Sequence, residues 1–235
     1  MNHEDNRVQQ KRGFTLIELM LAMTFISFLL VAIAMTIIQI STTYNRGMTL
    51  KEINQVGRSM TSEVQRTIST TTPFPIEPGP GTRLIDSSWG GRLCVGQYSY
   101  IWNYGKELLA NDPSLNRYVG SDAGTQIRFV KVLDGEAAYC SDPTKAINRA
   151  NAVELMNSGD HTLVLHTFAI KSALTAIDSS TRERLYSISF TIGTNDQAAL
   201  VADQSACSEP GTPGSDLAYC AVQQFNVVAR AGNAI

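Results

Sequence analysis

Between Leu19 and Asn45 the chain carries no charged residue. An uncharged apolar run of this length restricts what the chain can be more than any other feature does. As a helix rising about 1.5 Å per residue, residues 14–40 extend roughly 40 Å, more than the ~30 Å of hydrocarbon in a bilayer. The run is therefore expected to be a transmembrane helix. Arg7, Lys11 and Arg12, just before it, predict a cytoplasmic N-terminus. The competing reading is a secretory signal peptide cut after Ala32-Ile33-Ala34. Two features weigh against it: the run exceeds the usual apolar region of about 7–15 residues, and it contains an acid, Glu18.

A carboxylate at the centre of a membrane helix costs about 2.5–3.5 kcal/mol on insertion scales, and less near an end. No Lys, Arg or His follows Glu18 within a helical turn, and Lys11 and Arg12 are better placed to reach headgroups than to pair with it. A cut between Gly13 and Phe14 would create a positive charge where one is missing. The new α-amino group at Phe14 would stand four residues before Glu18 on the same helix face. It would also mark the helix N-terminus, where the macrodipole favours an anion. The residues thus suggest a cleavage that removes 1–13 and leaves the apolar run in place.

The string "KRGFTLIEL", residues 11–19, resembles the class III signal of type IV prepilins and pseudopilins. Basic residues, Gly13, the aromatic Phe14, Thr15, an apolar pair and Glu18 occur in order ahead of a run of spanning length. The resemblance covers residues 11–40 closely and the rest only in general layout. It implies that a membrane-embedded prepilin peptidase cuts after Gly13 on the cytoplasmic side and methylates Phe14. It also implies that Glu18 meets the amine of a neighbouring subunit during assembly. Many pilins carry a proline in the middle of this helix, whereas no proline occurs here before Pro73.

Downstream, Met48, Ile53, Val56, Met60, Val64 and Ile68 recur at helical spacing with Lys51, Glu52, Arg58, Glu63 and Arg66 between them. This predicts an amphipathic continuation whose stripe packs on a head. Gly47 and Gly57 each cost about 1 kcal/mol relative to alanine and are points where the helix can bend. "TTPFPIEPGPG", residues 71–81, holds four of the eight prolines and ends any helix. The expected organisation is therefore a cleaved leader over 1–13, a helix over 14–72, a Pro/Gly-rich linker over 73–82 and a β-rich head over 83–235. Strands are predicted over 92–104, 126–133, 162–170, 185–192 and 221–228, with a short helix over 146–156. A long helix on an antiparallel sheet gives an α+β class, and the resemblance makes it pilin-like.

All four cysteines, Cys94, Cys140, Cys207 and Cys220, lie in the head. An extracytoplasmic head permits disulfides, and four cysteines allow three pairings that the sequence leaves open. A bridge from Cys207 to Cys220 would staple the loop "SEPGTPGSDLAY" and stabilise by around 3 kcal/mol in the chain-entropy model. It would also resemble the C-terminal disulfide loop of many pilins, leaving Cys94 to Cys140. A Cys₄ zinc site is the alternative, without any C-x₂-C pair to support it.

No constellation suggests catalysis. His161 and His166, five apart on a predicted strand, point to opposite faces. There is no G-x-S-x-G elbow, phosphate-cradling glycine loop or H-E-x-x-H. The turns "GSDAG" and "TNDQ" match no EF-hand loop. The run "YSYIWNYG", residues 98–105, puts Tyr98, Tyr100, Trp102 and Tyr104 on one strand face, which is read as core or subunit contact rather than a stacking platform. From residue 73 on, 12 basic residues against 16 acidic ones leave a net charge of −4, which argues against direct nucleic-acid binding. No enzymatic activity, cofactor or metal is expected.

The resemblance thus implies a minor pilin or pseudopilin, a structural subunit of a type IV pilus. It would be held in the inner membrane by a single span, then carried into an extracytoplasmic fibre. Its partners would be the prepilin peptidase, other pilin subunits and an inner-membrane assembly platform. A pseudopilin of a type II secretion system, a competence pilus subunit and a membrane-anchored surface adhesin or receptor are the alternatives.

Overall fold

A computed structural model describes residues 14–105, 127–142, 145, 147, 151–156, 163–172, 183–209, 211–213 and 219–232. The leader 1–13 lies outside them. The chain divides into two compact units, Met1–Thr43 and Tyr44–Ile235. One helix, α1 (Leu16–Ser69), contributes to both.

In the first unit α1 is apolar on every side and its large side chains are exposed, among them Ile17, Phe25, Phe28, Ile33 and Ile38. A helix that is apolar all round has nothing to gain from water, and α1 is long and apolar enough to cross a membrane.

In the second unit α1 becomes one-sided. Thr49, Ile53, Val56, Gly57, Met60, Val64, Thr67 and Ile68 are buried, at spacings of one, three and four, forming the core-facing stripe of an amphipathic helix. Met48, expected on that stripe, stays exposed, and Thr49 takes the buried place with its hydroxyl bonded to the Asn45 carbonyl at 3.1 Å. Helix α1 stops at Ser69, ahead of the proline run. The residues 73–82 are held by their own contacts rather than hanging free. Phe74 and Ile76 are buried, and the Phe74 ring stacks on Tyr186 at 4.4 Å. The Tyr186 hydroxyl accepts from Phe74 N at 2.8 Å and donates to Phe74 O at 2.6 Å.

Among the described residues the head strands divide between two antiparallel sheets. The first has the order β1 (Leu84–Ser87), β2 (Gly90–Val95), β3 (Tyr98–Asn103), β4 (Phe129–Leu133), β5 (Ala152–Glu154). The second contains β6 (Leu163–Ser172), β7 (Arg184–Thr194) and β8 (Val222–Ala231). A parallel bridge between Tyr104 and Leu165 joins them. The stripe of α1 shares one core with both sheets, through Leu93, Tyr100, Trp102 and Phe129 on the first and Phe168, Tyr186, Ile188 and Phe190 on the second.

One strand expectation and one helix expectation change. The predicted strand 92–104 is a hairpin, β2 and β3, with Val95 paired to Tyr98. Gly96 turns the chain with φ 59° while Gln97 keeps an ordinary φ, the arrangement of a type II′ turn with glycine in its first central place. The predicted helix over 146–156 contains instead β5, paired to β4 through Val130–Glu154 and Val132–Ala152. The Glu154 carboxylate fixes that edge by accepting from Arg128 N at 3.1 Å and Phe129 N at 2.9 Å. Tertiary pairing there outweighs the helix propensity of Ala, Glu and Leu.

A short helix, α2 (Ala138–Ser141), was not foreseen. Asp134 caps its start, accepting from Ala138 N at 2.9 Å and Tyr139 N at 3.0 Å while Ser99 donates to the same carboxylate at 2.7 Å. The buried Arg92 closes its end, donating to the carbonyls of Tyr139 and Asp142, both at 3.0 Å. Burial pushes the Asp134 carboxyl up, but these three donors outweigh it and hold it below the ordinary range.

Candidate functional site

At the start of α1 the sequence "TLIE" builds a closed local structure. The Glu18 carboxylate accepts from the Thr15 backbone N–H and from the Thr15 hydroxyl, both at 3.0 Å, and Glu18 N donates to the Thr15 hydroxyl at 3.3 Å. This is a capping box, in which the side chains at the N-cap and three residues on satisfy each other's orphan N–H groups. The motif is readable from Thr15 and Glu18 themselves, and it gives the Glu18 carboxylate partners that carry no charge. Glu18 is exposed, and Phe14 is 87% exposed at the first described position. Gly13 lies outside the described residues.

The four cysteines form two disulfides. Cys94 on β2 joins Cys140 on α2 with Cα atoms 6.2 Å apart, and Cys207 joins Cys220 across 6.0 Å. Both spans suit disulfide geometry. The first ties the loop around α2 to the sheet. The second lies in a small satellite core of Ala199, Leu200 and Cys220, packed with Cys207 and Val222.

The aromatic run 98–105 enters the main core. Tyr100, Trp102 and Tyr104 are buried, with Trp102 4.4 Å from Phe168 and 6.0 Å from Phe129 between ring centroids. These three rings are thus used in packing, while Tyr98 is half-buried. Burial pushes the Tyr100 phenol well up, although its hydroxyl donates to the Thr67 hydroxyl at 2.6 Å and ties β3 to α1.

Three charged groups meet between α1 and the first sheet. Glu63 pairs with Lys131 on β4 and with Arg66 one turn on. The Lys131 ammonium sits over the Tyr98 ring, 3.6 Å from its centroid. Burial pushes the Glu63 carboxyl up, but the bonds from Lys131 and Arg66 outweigh this and hold it below the ordinary range.

His166 on β6 is buried, and its Nδ1 lies 3.0 Å from the Gln204 side-chain oxygen. The register shifts around it, from Leu165 to Thr167, a bulge that turns the ring toward the satellite core. His161 lies outside the described residues, as does "GSDAG". In "TNDQ", Asp196 caps a 3-10 turn (Gln197–Ala199), accepting from Ala198 N at 3.1 Å. Among the described residues no group of three or more His, Cys, Asp or Glu side chains is placed to hold a metal ion. A recess of about 480 Å³ is lined by Ile76, Glu77, Lys171 and Arg184. Arg184 binds Glu77 and the Ser172 hydroxyl there.

What this arrangement offers chemically is a capped, exposed apolar helix, and a disulfide-braced head on the same chain. No protein-family model matches the chain, and no curated protein and no solved structure is significantly similar to it.

Proposed function

We propose that this chain is a minor pilin or pseudopilin, cut between Gly13 and Phe14 by a prepilin peptidase and assembled into a type IV pilus through its apolar helix. The observation that carries this reading is the string of residues 11–18 set at the start of a long apolar helix whose later turns pack on an antiparallel head. In the membrane the apolar half holds the subunit as a single span with its N-terminus in the cytoplasm and its head outside. In a fibre the same surface buries against other such helices, so leaving lipid costs little. Glu18 then sets register by pairing with the Phe14 amine of a neighbour. The two disulfides accord with an oxidising compartment. A type II secretion pseudopilin works by the same physics with other partners.

The capping box favours one rival. If Glu18 serves only to close the first turn of α1, the chain is a membrane-anchored adhesin or receptor. Glu18→Gln separates the two readings, because glutamine at this position still completes a capping box but brings no charge to an amine. Under the assembly reading, Glu18→Gln is processed, remains in the membrane and is lost from sheared surface fibres. Incorporation equal to wild type removes the assembly role of Glu18, and absence of the wild-type chain from sheared fibres removes the fibre reading itself.

A further inference from the structure

Between β7 and Cys207 the segment 195–206 folds back on itself. Val201 N donates to Ala206 O at 3.0 Å, Gln204 N to Val201 O at 2.8 Å and Ser208 N to Ala199 O at 2.8 Å. Its two ends are fixed, one by β7 and the other by the Cys207–Cys220 disulfide. Ala199 and Leu200 seat it in the satellite core, and a chain of three side chains ties it to β6. His166 Nδ1 meets Gln204 Oε1 at 3.0 Å, and Gln204 Nε2 donates in turn to Gln197 Oε1. Gln204 does so from a left-handed backbone, φ 58°, which a residue other than glycine keeps only when its surroundings impose it.

An amide oxygen only accepts, so Nδ1 carries the proton of the neutral ring and Nε2 is where a second proton would go. Nε2 is buried against Gly193 of β7, 2.7 Å from where a Cβ there would stand. The groups packed about the ring are neutral: Gly193 and Thr194 from β7, Gln204 with Gln197 behind it from the segment, and Ala221 and Val222 at the start of β8. The carboxylates of the segment, Asp196 and Asp203, are exposed and bonded to Ala198 N and to Ser205. The bonds from Ser205 hold the Asp203 carboxyl below its usual 3.8. An imidazolium closed in this place would be a desolvated charge without a counter-ion. It is relieved when the segment lifts and admits water.

We propose that residues 195–206 form an acid-released lid over the satellite core, shut while the His166 ring is neutral and opened when that ring takes a second proton. The disulfide limits the motion to a swing between two fixed ends, and opening bares His166, Ala199 and Leu200 to water. The device lies wholly within the second unit and holds whether or not the chain enters a fibre.

The test is hydrogen–deuterium exchange of the full chain in detergent micelles at pH 7.5 and 5.5, corrected for the intrinsic pH dependence of amide exchange. Peptides over 197–206 report the lid, and peptides over 186–192 of β7 are the reference. A proton taken up by the open form alone, at the ordinary histidine value of 6.5, raises the open population by up to about tenfold between these pH values. The expected result is exchange over 197–206 faster by up to that factor at pH 5.5, with β7 unchanged. His166→Asn, whose amide N–H stands near the place of Nδ1, should abolish the acid response. Gln204→Glu should abolish it as well, because a carboxylate there gives the imidazolium a counter-ion and keeps the lid shut. The second variant decides the matter if His166→Asn has lost its protection in β7 at pH 7.5. Equal exchange over 197–206 at both pH values in the wild-type chain overturns the lid. An acid response that survives in Gln204→Glu, or one that β7 shares equally, overturns it too.

Discussion

Gly57 faces Phe225 of the second sheet with no room for a Cβ, and replacing it with alanine gives a result with a calculable sign. On an exposed helix, Gly57→Ala would stabilise by about 1 kcal/mol through backbone propensity. Here an added Cβ would overlap the tip of the Phe225 ring on β8, meeting Cζ and both Cε atoms. The ring has little freedom to withdraw, because it stacks on Phe190 with centroids 5.4 Å apart, and Phe190 is fully buried against Phe168. Overpacking of a core costs about 1–3 kcal/mol, and an overlap with three ring atoms belongs at the upper end. The net expectation is a destabilisation of about 2 kcal/mol. In a Phe225→Ala background the obstacle is gone, so the same Gly57→Ala change should stabilise by about 1 kcal/mol, a coupling of about 3 kcal/mol between the two sites. The assay is urea denaturation of the full chain in detergent micelles, followed by tryptophan fluorescence in a Trp89→Phe background, which leaves Trp102 in the shared core as the reporter. If Gly57→Ala stabilises the wild-type background as much as it does the Phe225→Ala one, α1 does not pack on β8 as described.

Acid should destabilise the head in two windows. Burial holds the His166 imidazole below its usual 6.5, against the smaller upward pull of its bond with Gln204, so the unfolded chain takes up the proton first. The stability His166 contributes is therefore complete above pH 6.5 and is lost as the pH falls through its lower folded value. His166→Gln should flatten that first slope in denaturation midpoints measured between pH 7.5 and 5. The carboxyls of Asp134 and Glu63, held below 3.8 and 4.5, keep their contribution until lower pH, and His166→Gln should leave their window unchanged. The two disulfides should differ in a defined order. Their sequence separations of 46 and 13 residues predict losses of about 4 and about 3 kcal/mol for Cys94→Ser/Cys140→Ser and Cys207→Ser/Cys220→Ser in the chain-entropy model. Denaturation of both double variants tests the order, and a larger loss from the shorter loop would refute it.

Much of the architecture was legible because it is written in charge and period. The uncharged run and the alternation after it gave α1, and the proline cluster gave its end to within a few residues. Of the aromatic run read as one strand face, Tyr100, Trp102 and Tyr104 proved to be core and Tyr98 half-buried. What escaped depended on partners distant in sequence. Little local marks 152–154 as a strand: Ala152 and Glu154 favour helix, Val153 alone favours strand, and pairing with β4 decides it. The four residues of α2 are too few for any period and exist because Asp134 and Arg92 close its two ends. The strand break at Gly96-Gln97 was missed because a single glycine in a β-rich run also suits a bulge. At the candidate site, the Thr15–Glu18 capping box was readable from two residues, yet its meaning for assembly depends on a neighbouring chain, which one sequence does not supply.

The central claim is that the chain becomes a fibre subunit by losing residues 1–13 and gaining a charged amine ahead of Glu18. It is tested most directly by intact-mass and N-terminal peptide mass spectrometry on protein from membranes and from sheared surface material. The account predicts a mature chain that begins at Phe14 and carries one added methyl group, present in both fractions. A chain that begins after Ala34, or one that retains Met1 in cells with an active prepilin peptidase, would contradict it.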